Sequence, residues 1–361
     1  MSDYFEIRVE PDWQGLLHSI QRTKPAERVH FVELFLDAEV QDTLCDRFGL
    51  LSGLSPADPA FSLKKEVRLQ SFLGYDYVRC KIDPFELPLN RQRVEDTAAL
   101  KRTSGRDFVD ETQGPITNWE EFEQYPWPDP RGFTTNTLEW YEENLPDTMC
   151  IIGSGFGHFA EYLTWLMGYT TFCNALLEQR DLVSAIYEKI RAICVTSLEL
   201  ITQFSRVKAV WASDDMGFRG GLLMSPADMR EFVLRGHKEL AELAHNKGLP
   251  YLLHSCGNLS LIMDELLDFV KIDAKHSFED TIEKVTDVKH TYGQRIALLG
   301  GIDVDFLCRA TPDEVRKRVR YTLDICMPGG GYCLGTGNSV ANYIPLENYL
   351  VMLDEGRRYC M

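Results

Sequence analysis

Eight short apolar runs recur along the chain, and most are separated by segments that have helical character. The runs cover residues 28–35, 75–82, 149–152, 207–211, 249–254, 269–273, 295–299 and 331–334. Short apolar runs that alternate with helices are typical of a parallel α/β sheet. The pattern therefore predicts a (β/α)8 barrel (TIM barrel). A doubly wound open sheet is the alternative, because a count of strands does not establish that the sheet closes.

The segments between the runs show where helices are expected. Residues 181–204 carry apolar side chains at helical spacing, with Val183 and Ile186 on one face. Two further predicted helices, over residues 225–246 and 311–326, each begin with a hydroxyl side chain followed by proline. That pair combines a capping group with the residue best suited to the first helical position.

Two stretches do not follow this alternation. Residues 1–26 are polar and helical in tendency, and Trp13 and Leu16 are the expected docking positions of an N-terminal helical flap. Residues 84–147 are charged and far longer than a simple connection, which indicates an insertion or a lid after the second strand. We predict a single domain over residues 1–361 that includes this insertion.

Polar and glycine-rich residues follow the apolar runs at the same relative position. They are found at residues 213–215, 254–256, 273–279, 301–303 and 335–338. In a parallel barrel the carboxyl ends of all strands open into one mouth, and the active site lies there. This repetition predicts the location of the site before any single motif is considered.

His254 and Cys256 close the fifth run and are the leading candidates for metal binding. They are two positions apart, so on an extended chain their side chains point to the same side. Cys333 lies near the end of the eighth run, which in a barrel shares its mouth with the fifth. One imidazole and two thiolates suit Zn²⁺, and three protein ligands with an open position are typical of a catalytic site. The alternative is that these cysteines are inert core residues.

Acidic residues and a histidine at the same mouth are candidates for catalysis or for a fourth ligand. Asp214 and Asp215 follow the fourth run, and His276 and Glu279 follow the sixth. The aspartates can move a proton or bind substrate, and Glu279 or His276 can ligate the metal or orient one of its ligands. For each of these residues the alternative is a polar side chain that caps the next helix.

Composition narrows the classes of function. The chain has 361 residues, a formal net charge of −17 and no basic block, which argues against binding to nucleic acid or to an anionic membrane. No apolar run approaches a membrane span, and the first residues lack the pattern of a signal peptide. The ten cysteines show no pairing pattern and are expected to be reduced. We therefore expect a cytoplasmic protein.

Three strand ends resemble the uroporphyrinogen decarboxylase superfamily, and within it the cobalamin-dependent (corrinoid) methyltransferase branch. They are Leu-Leu-His-Ser-Cys-Gly-Asn at 252–258, Leu-Leu-Gly-Gly-Ile-Asp at 298–303 and Gly-Tyr-Cys-Leu-Gly-Thr-Gly-Asn at 331–338. The resemblance extends over residues 149–357 and implies a (β/α)8 barrel. In the methyltransferase branch a His-x-Cys pair and a distant downstream Cys bind zinc, which implies the same role for His254, Cys256 and Cys333.

The two branches imply different chemistry. True decarboxylases use an arginine-bearing N-terminal stretch to hold a polycarboxylate, whereas residues 29–37 carry acids that would repel one. The methyltransferase branch implies zinc-assisted transfer of a methyl group between a corrinoid (methylcobalamin) on a partner protein and a small thiol or methylated substrate. A metal-free decarboxylase that uses Asp214 or Asp215 is the first alternative. The second is a barrel that only binds a metabolite or a corrinoid protein.

Overall fold

The computed structural model describes residues 4–83, 87–102 and 104–359. Its strands are β1 (Tyr77–Cys80), β2 (Arg91–Val94), β3 (Arg106–Val109), β4 (Cys150–Gly153), β5 (Val207–Ser213), β6 (Gly217–Phe218), β7 (Gly221–Leu222), β8 (Tyr251–His254), β9 (Ala274–His276), β10 (Ala297–Leu299) and β11 (Tyr332–Cys333). Its helices are α1 (Trp13–Gln21), α2 (Ala38–Phe48), α3 (Phe61–Leu73), α4 (Trp119–Gln124), α5 (Asn136–Asn144), α6 (Phe159–Met167), α7 (Tyr169–Glu178), α8 (Arg180–Ile201), α9 (Pro226–Met229), α10 (Arg235–Asn246), α11 (Met263–Glu265), α12 (Val285–Tyr292), α13 (Val304–Arg309), α14 (Pro312–Cys326) and α15 (Leu346–Tyr359). A 3-10 helix covers Pro130–Gly132, and π-helical turns cover Arg230–Leu234 and Leu266–Val270.

Seven strands form one curled sheet in the order β1, β4, β5, β8, β9, β10 and β11, and neighbouring strands run parallel. Residues 30–36 extend this sheet beyond β11, because Phe31 pairs with Leu334 and Leu36 pairs with Val340. All four residues of β8 are buried, which is why that strand appears in the sequence as an almost uninterrupted apolar run. The curled parallel sheet and its helices are those of a TIM-like α/β fold.

The first predicted strand, residues 28–35, is present only as a segment with isolated bridges. In the described residues this segment meets β1 through side chains. The Tyr77 hydroxyl donates to the Glu33 carbonyl and accepts from the Glu33 amide, both at 3.0 Å. The Arg79 guanidinium donates to the Leu34 carbonyl. Side chains therefore link the two ends of the curled sheet.

The predicted strand at residues 269–273 is wrong, because β9 begins only at Ala274. Phe269 and Val270 belong to a π-helical turn, and Lys271 ends that turn with a positive φ of 66°. The apolar run thus joins the end of a helix to a connection, a case that apolar patterning cannot separate from a strand. The remaining predicted strands overlap β1, β4, β5, β8, β10 and β11.

α1 covers the amino-terminal end of the sheet. Leu16 and Ile20 are buried, and the Ser19 hydroxyl donates to the Tyr332 carbonyl at 3.1 Å. The insertion predicted at residues 84–147 holds the antiparallel hairpin of β2 and β3 and the helices α4 and α5. Its residues 84–86 and 103 lie outside the described residues. Across the described part of the chain, no helix combines the length and the apolar character that crossing a bilayer requires.

Candidate metal centre

A cavity of about 680 Å³ opens at the carboxyl ends of the strands. This volume is in the range of sites for small molecules. The predicted residues Asp215, His254 and Cys256 line it. Further lining residues are Glu33, Tyr77, Arg79, Lys81, His158, Glu161 and Asn338.

Asp215, His254 and Cys256 bring three different ligand atoms to one point. The Cys256 Sγ lies 3.6 Å from His254 Nε2, and an Asp215 carboxylate oxygen lies 3.4 Å from the same nitrogen. All three ligand atoms are within 4.8 Å of one another, and among the described residues no other such group of His, Cys, Asp or Glu occurs. One oxygen, one nitrogen and one sulfur in this arrangement are suited to a borderline-soft divalent metal ion.

The register between β5 and β8 explains this convergence. Ser213 pairs with His254 across the two parallel strands. Asp215 and Cys256 each follow two residues later, and the Cys256 amide donates to Asp215 Oδ1 at 2.8 Å. Because Asp215 and Cys256 lie the same distance along the chain from a pair of neighbouring residues, the carboxylate comes to lie beside the thiol.

The glycine after Cys256 is required by the packing of the two loops that follow these strands. Gly257 has a φ of +92°, and a Cβ at this position would lie 2.1 Å from the Gly217 backbone. The Asn258 amide donates to the Phe218 carbonyl at 3.0 Å, which ties the loop after β8 to the hairpin of β6 and β7. Only glycine allows this close approach, and the approach keeps Cys256 near Asp215.

His276 on β9 holds the imidazole of His254. Their Nδ1 atoms are 2.7 Å apart, so one ring donates a hydrogen bond and the other accepts it. Burial lowers the pKa of His276 well below 6.5, against a smaller opposing effect of the Thr336 backbone. In the tautomer that metal ligation requires, His254 donates from Nδ1 to the Nδ1 of a neutral His276, and the Nε2 of His254 faces Cys256 and Asp215.

Cys256 and Asp215 differ in charge. Burial raises the pKa of the Cys256 thiol, and the Asp215 carboxylate raises it further. Burial also acts to raise the pKa of Asp215, but its contacts with His254 and with Cys256 outweigh that effect and lower it. The pair without metal is thus a neutral thiol beside a carboxylate, and a bound cation favours the thiolate. Asn338 Nδ2 donates to the Cys256 Sγ at 3.2 Å and also favours negative charge on sulfur.

Cys333 does not join this cluster. Its Sγ lies 3.9 Å from the Ser19 hydroxyl of α1, at the amino-terminal end of the sheet, and the residue is fully buried. Burial raises the pKa of its thiol to about 12, as for a core cysteine. The prediction that Cys333 approaches His254 and Cys256 is therefore wrong. The chain reaches the mouth only further along, where Asn338 contacts the sulfur.

Asp214 is a helix-capping residue, contrary to its expected catalytic role. Its carboxylate accepts from the amides of Ala160 and Glu161 at 2.9 and 3.0 Å, in the first turn of α6. His237 Nε2 lies 3.0 Å from it. The residue is fully buried and its acceptors are occupied, so it contributes to the fold and does not face the cavity.

Glu279 lies near the candidate metal centre but outside the group of converging ligand atoms. Burial raises its pKa, and the charges of Asp303 and Asp215 raise it further. The charge of Glu279 in turn acts on the Cys256 thiol. Its assignment as a catalytic residue or a fourth ligand stays a prediction.

Sequence patterns did not single out several residues of the cavity. Arg79 and Lys81 lie two positions apart within the second apolar run. On a strand this spacing places both side chains on the same face, and it is the feature of the sequence that points to them. His158, the residue directly before α6, forms a 2.6 Å contact with Glu161. Burial acts to lower the pKa of His158, but Glu161 outweighs it and the pKa rises.

Comparisons with known proteins agree with this fold. The family model described as Uroporphyrinogen decarboxylase (URO-D) matches residues 110–359, well over half of the chain. A solved structure of a methyltransferase from Methanosarcina mazei superposes with a TM-score of 0.67 over 97% of this chain and 98% of that chain, at 17% identity. This second similarity establishes a shared fold.

A putative vitamin-B12-independent methionine synthase from Listeria monocytogenes is more distant. It has a TM-score of 0.48 and 12% identity, with 98% of each chain covered. No curated protein sequence matches the chain.

Proposed function

This chain belongs to the uroporphyrinogen decarboxylase family, and we propose that it is a zinc-dependent methyltransferase. The proposed reaction moves a methyl group between the corrinoid of a partner protein and a small thiol or methylated compound bound in the mouth cavity. The observation that carries this proposal is the convergence of Asp215, His254 and Cys256. Three protein ligands that leave a position open are typical of catalytic zinc sites. We interpret the curled sheet, with residues 30–36 as its eighth member, as the (β/α)8 barrel of such an enzyme.

The residues present fit the proposed metal. With its Nδ1–H donated to His276, His254 would offer an unprotonated Nε2, and Cys256 accepts a hydrogen bond from Asn338 that favours its thiolate form once a cation is bound. Zinc bound here would supply Lewis acidity, which keeps a substrate thiol deprotonated or polarises the heteroatom of a methylated substrate. Asp215 would complete the ligand set with an oxygen. The cavity admits the substrate from the mouth, where a corrinoid protein would dock.

A metal-free decarboxylase of the same family is the second candidate, because the family model that matches is named for that activity. Its expected residues were Asp214 and Asp215. Asp214 accepts hydrogen bonds from two backbone amides and does not line the cavity. Asp215 contacts His254 and Cys256, which suits metal ligation better than an isolated role in decarboxylation.

Metal content separates these candidates. We expect about one zinc ion per chain in protein purified without added metal, and its loss in Cys256→Ser and His254→Ala. Cys333→Ala is the matched control, because it removes a buried thiol that lies away from the cluster and should keep the metal. Methyl transfer from methylcobalamin to simple thiols would then be measured on the same proteins. Wild-type protein that takes up no zinc under reducing conditions would contradict the proposal.

A further inference from the structure

One strand aligns three polar side chains along the wall of the cavity. Tyr77, Arg79 and Lys81 are each two residues apart, so they share the inner face of β1 and its extension. All three line the same cavity as Asp215, His254 and Cys256. Arg79 lies between the hydroxyl and the ammonium group, so two cations are adjacent on this wall.

Among the described residues, no carboxylate oxygen lies within 4.0 Å of the Arg79 guanidinium. The guanidinium stacks over the Trp211 ring at 5.0 Å and donates to the Leu34 carbonyl, while its Nε is buried without a hydrogen-bond partner. Burial lowers the pKa of Arg79 to about 10, which leaves it charged at neutral pH. A desolvated cation without a counter-charge is costly, and an anion in the cavity would offset that cost.

The surroundings of Arg79 place it next to the metal centre. The Trp211 ring beneath it packs edge-on against His276 with centroids 5.4 Å apart, and His276 contacts His254. The indole Nε1 of Trp211 is also buried without a partner among the described residues. One aromatic ring therefore separates the unpaired cation from the imidazoles of the candidate metal centre.

We propose that Arg79, assisted by Lys81, binds a carboxylate group of the substrate. The planar guanidinium matches a carboxylate with two parallel hydrogen bonds, and Lys81 adds a second positive charge nearer the solvent. On the basis of the proposed function, the reacting thiol or methylated group of the same molecule lies at Asp215, His254 and Cys256. Acidic residues on the other walls, Glu66 and Glu161 among them, disfavour a substrate with several negative charges. The substrate class is therefore a small monocarboxylate.

The test compares matched ligands by isothermal titration calorimetry. On the zinc-loaded protein, 3-mercaptopropionate should bind about tenfold or more tightly than 3-mercapto-1-propanol, which has no charge. Arg79→Met should abolish this preference, and Arg79→Lys should retain part of it. Lys208→Met is the matched control, because it removes a cation stacked on Trp13, 4.8 Å from the ring, at the opposite end of β5. Equal affinities of the two thiols in wild type, or an unchanged preference in Arg79→Met, would overturn the inference.

A second arm separates this inference from the proposed function. Metal-depleted protein is titrated with benzoate and with neutral benzamide, neither of which carries a thiol. A preference for benzoate that depends on Arg79 supports the carboxylate site even if the protein neither binds zinc nor transfers methyl groups. No preference for benzoate in wild type counts against the site even if methyl transfer is found. Urea unfolding of Arg79→Met and Arg79→Lys verifies that both variants are folded.

Discussion

The Nδ1 atoms of His254 and His276 lie 2.7 Å apart on the neighbouring strands β8 and β9, so only one of them carries the shared proton. Because His276 is buried and its pKa is lowered, its ring is neutral, and with its proton on Nε2 it accepts from His254. The consequence for His254 is a fixed ring orientation with Nε2 directed at Cys256 and Asp215. A histidine that binds metal commonly has its second nitrogen held in this way.

Replacement of His276 should therefore weaken metal binding without removing a ligand. We expect His276→Leu to lower the affinity for zinc about 10- to 100-fold, because the His254 Nδ1–H loses its acceptor. His276→Asn keeps an oxygen near the position of Nδ1 and should recover most of the affinity. Competition with a chromophoric chelator measures both. Equal affinities in the two variants would mean that His276 only fills space.

Asn338 offers a test by gain of binding. Its Nδ2 lies 3.2 Å from the Cys256 Sγ, so Asn338→Cys would place a second thiol beside the converging ligands. We expect the affinity for zinc to increase on the order of tenfold or more, since thiolates are strong zinc ligands. Asn338→Ala is the control and should not gain affinity. An affinity in Asn338→Cys no higher than in Asn338→Ala would contradict the geometry described for the mouth.

The adjacent aspartates should respond differently to substitution. Asp214→Ala leaves two amides of α6 and His237 without their acceptor, and we expect a loss of about 2–4 kcal/mol in the free energy of unfolding. Metal content of the folded protein should be unchanged. Asp215→Asn should do the reverse, with reduced metal binding and a smaller change in stability. Urea unfolding and metal analysis on both variants check this, and metal loss confined to the Asp214 variant would refute it.

Glu33 should make stability depend on pH. Burial raises its pKa to about 8, although Thr336 donates to both carboxyl oxygens, at 2.8 Å from its amide and 2.6 Å from its hydroxyl. In the unfolded chain the Glu33 carboxyl has its ordinary pKa of 4.5, so the folded state binds the proton more tightly. The contribution of Glu33 to the free energy of unfolding is therefore fully present below pH 4.5 and is lost as the pH rises through about 8. The loss is roughly 3–5 kcal/mol at most.

Glu33→Gln removes this titration while keeping an acceptor and a donor for Thr336. The stability of the variant relative to wild type should increase between about pH 5.5 and about pH 8.5, measured by urea unfolding at both values. An identical pH dependence of the two proteins would show that Glu33 ionises normally. The comparison needs no metal.

Much of the fold follows from the order of apolar runs and helices. Strands buried on both faces, such as β8, appear as continuous apolar runs, and the polar residues after them mark the mouth. The errors occur where local pattern is ambiguous. Phe269 and Val270 are apolar because a π-helical turn packs against the core, and residues 28–35 are apolar although only isolated bridges tie them to the sheet.

The sequence by itself determined the pair His254 and Cys256, because two residues on one extended segment point to the same side whatever surrounds them. Asp215 became a ligand candidate only through the pairing of β5 with β8, which aligns its loop with that of Cys256. The choice between Cys333 and Asn338 also needed the tertiary structure. A strand as short as β11 does not fix the height at which later residues enter the mouth, and long-range contacts with α1 and with residues 30–36 decide it.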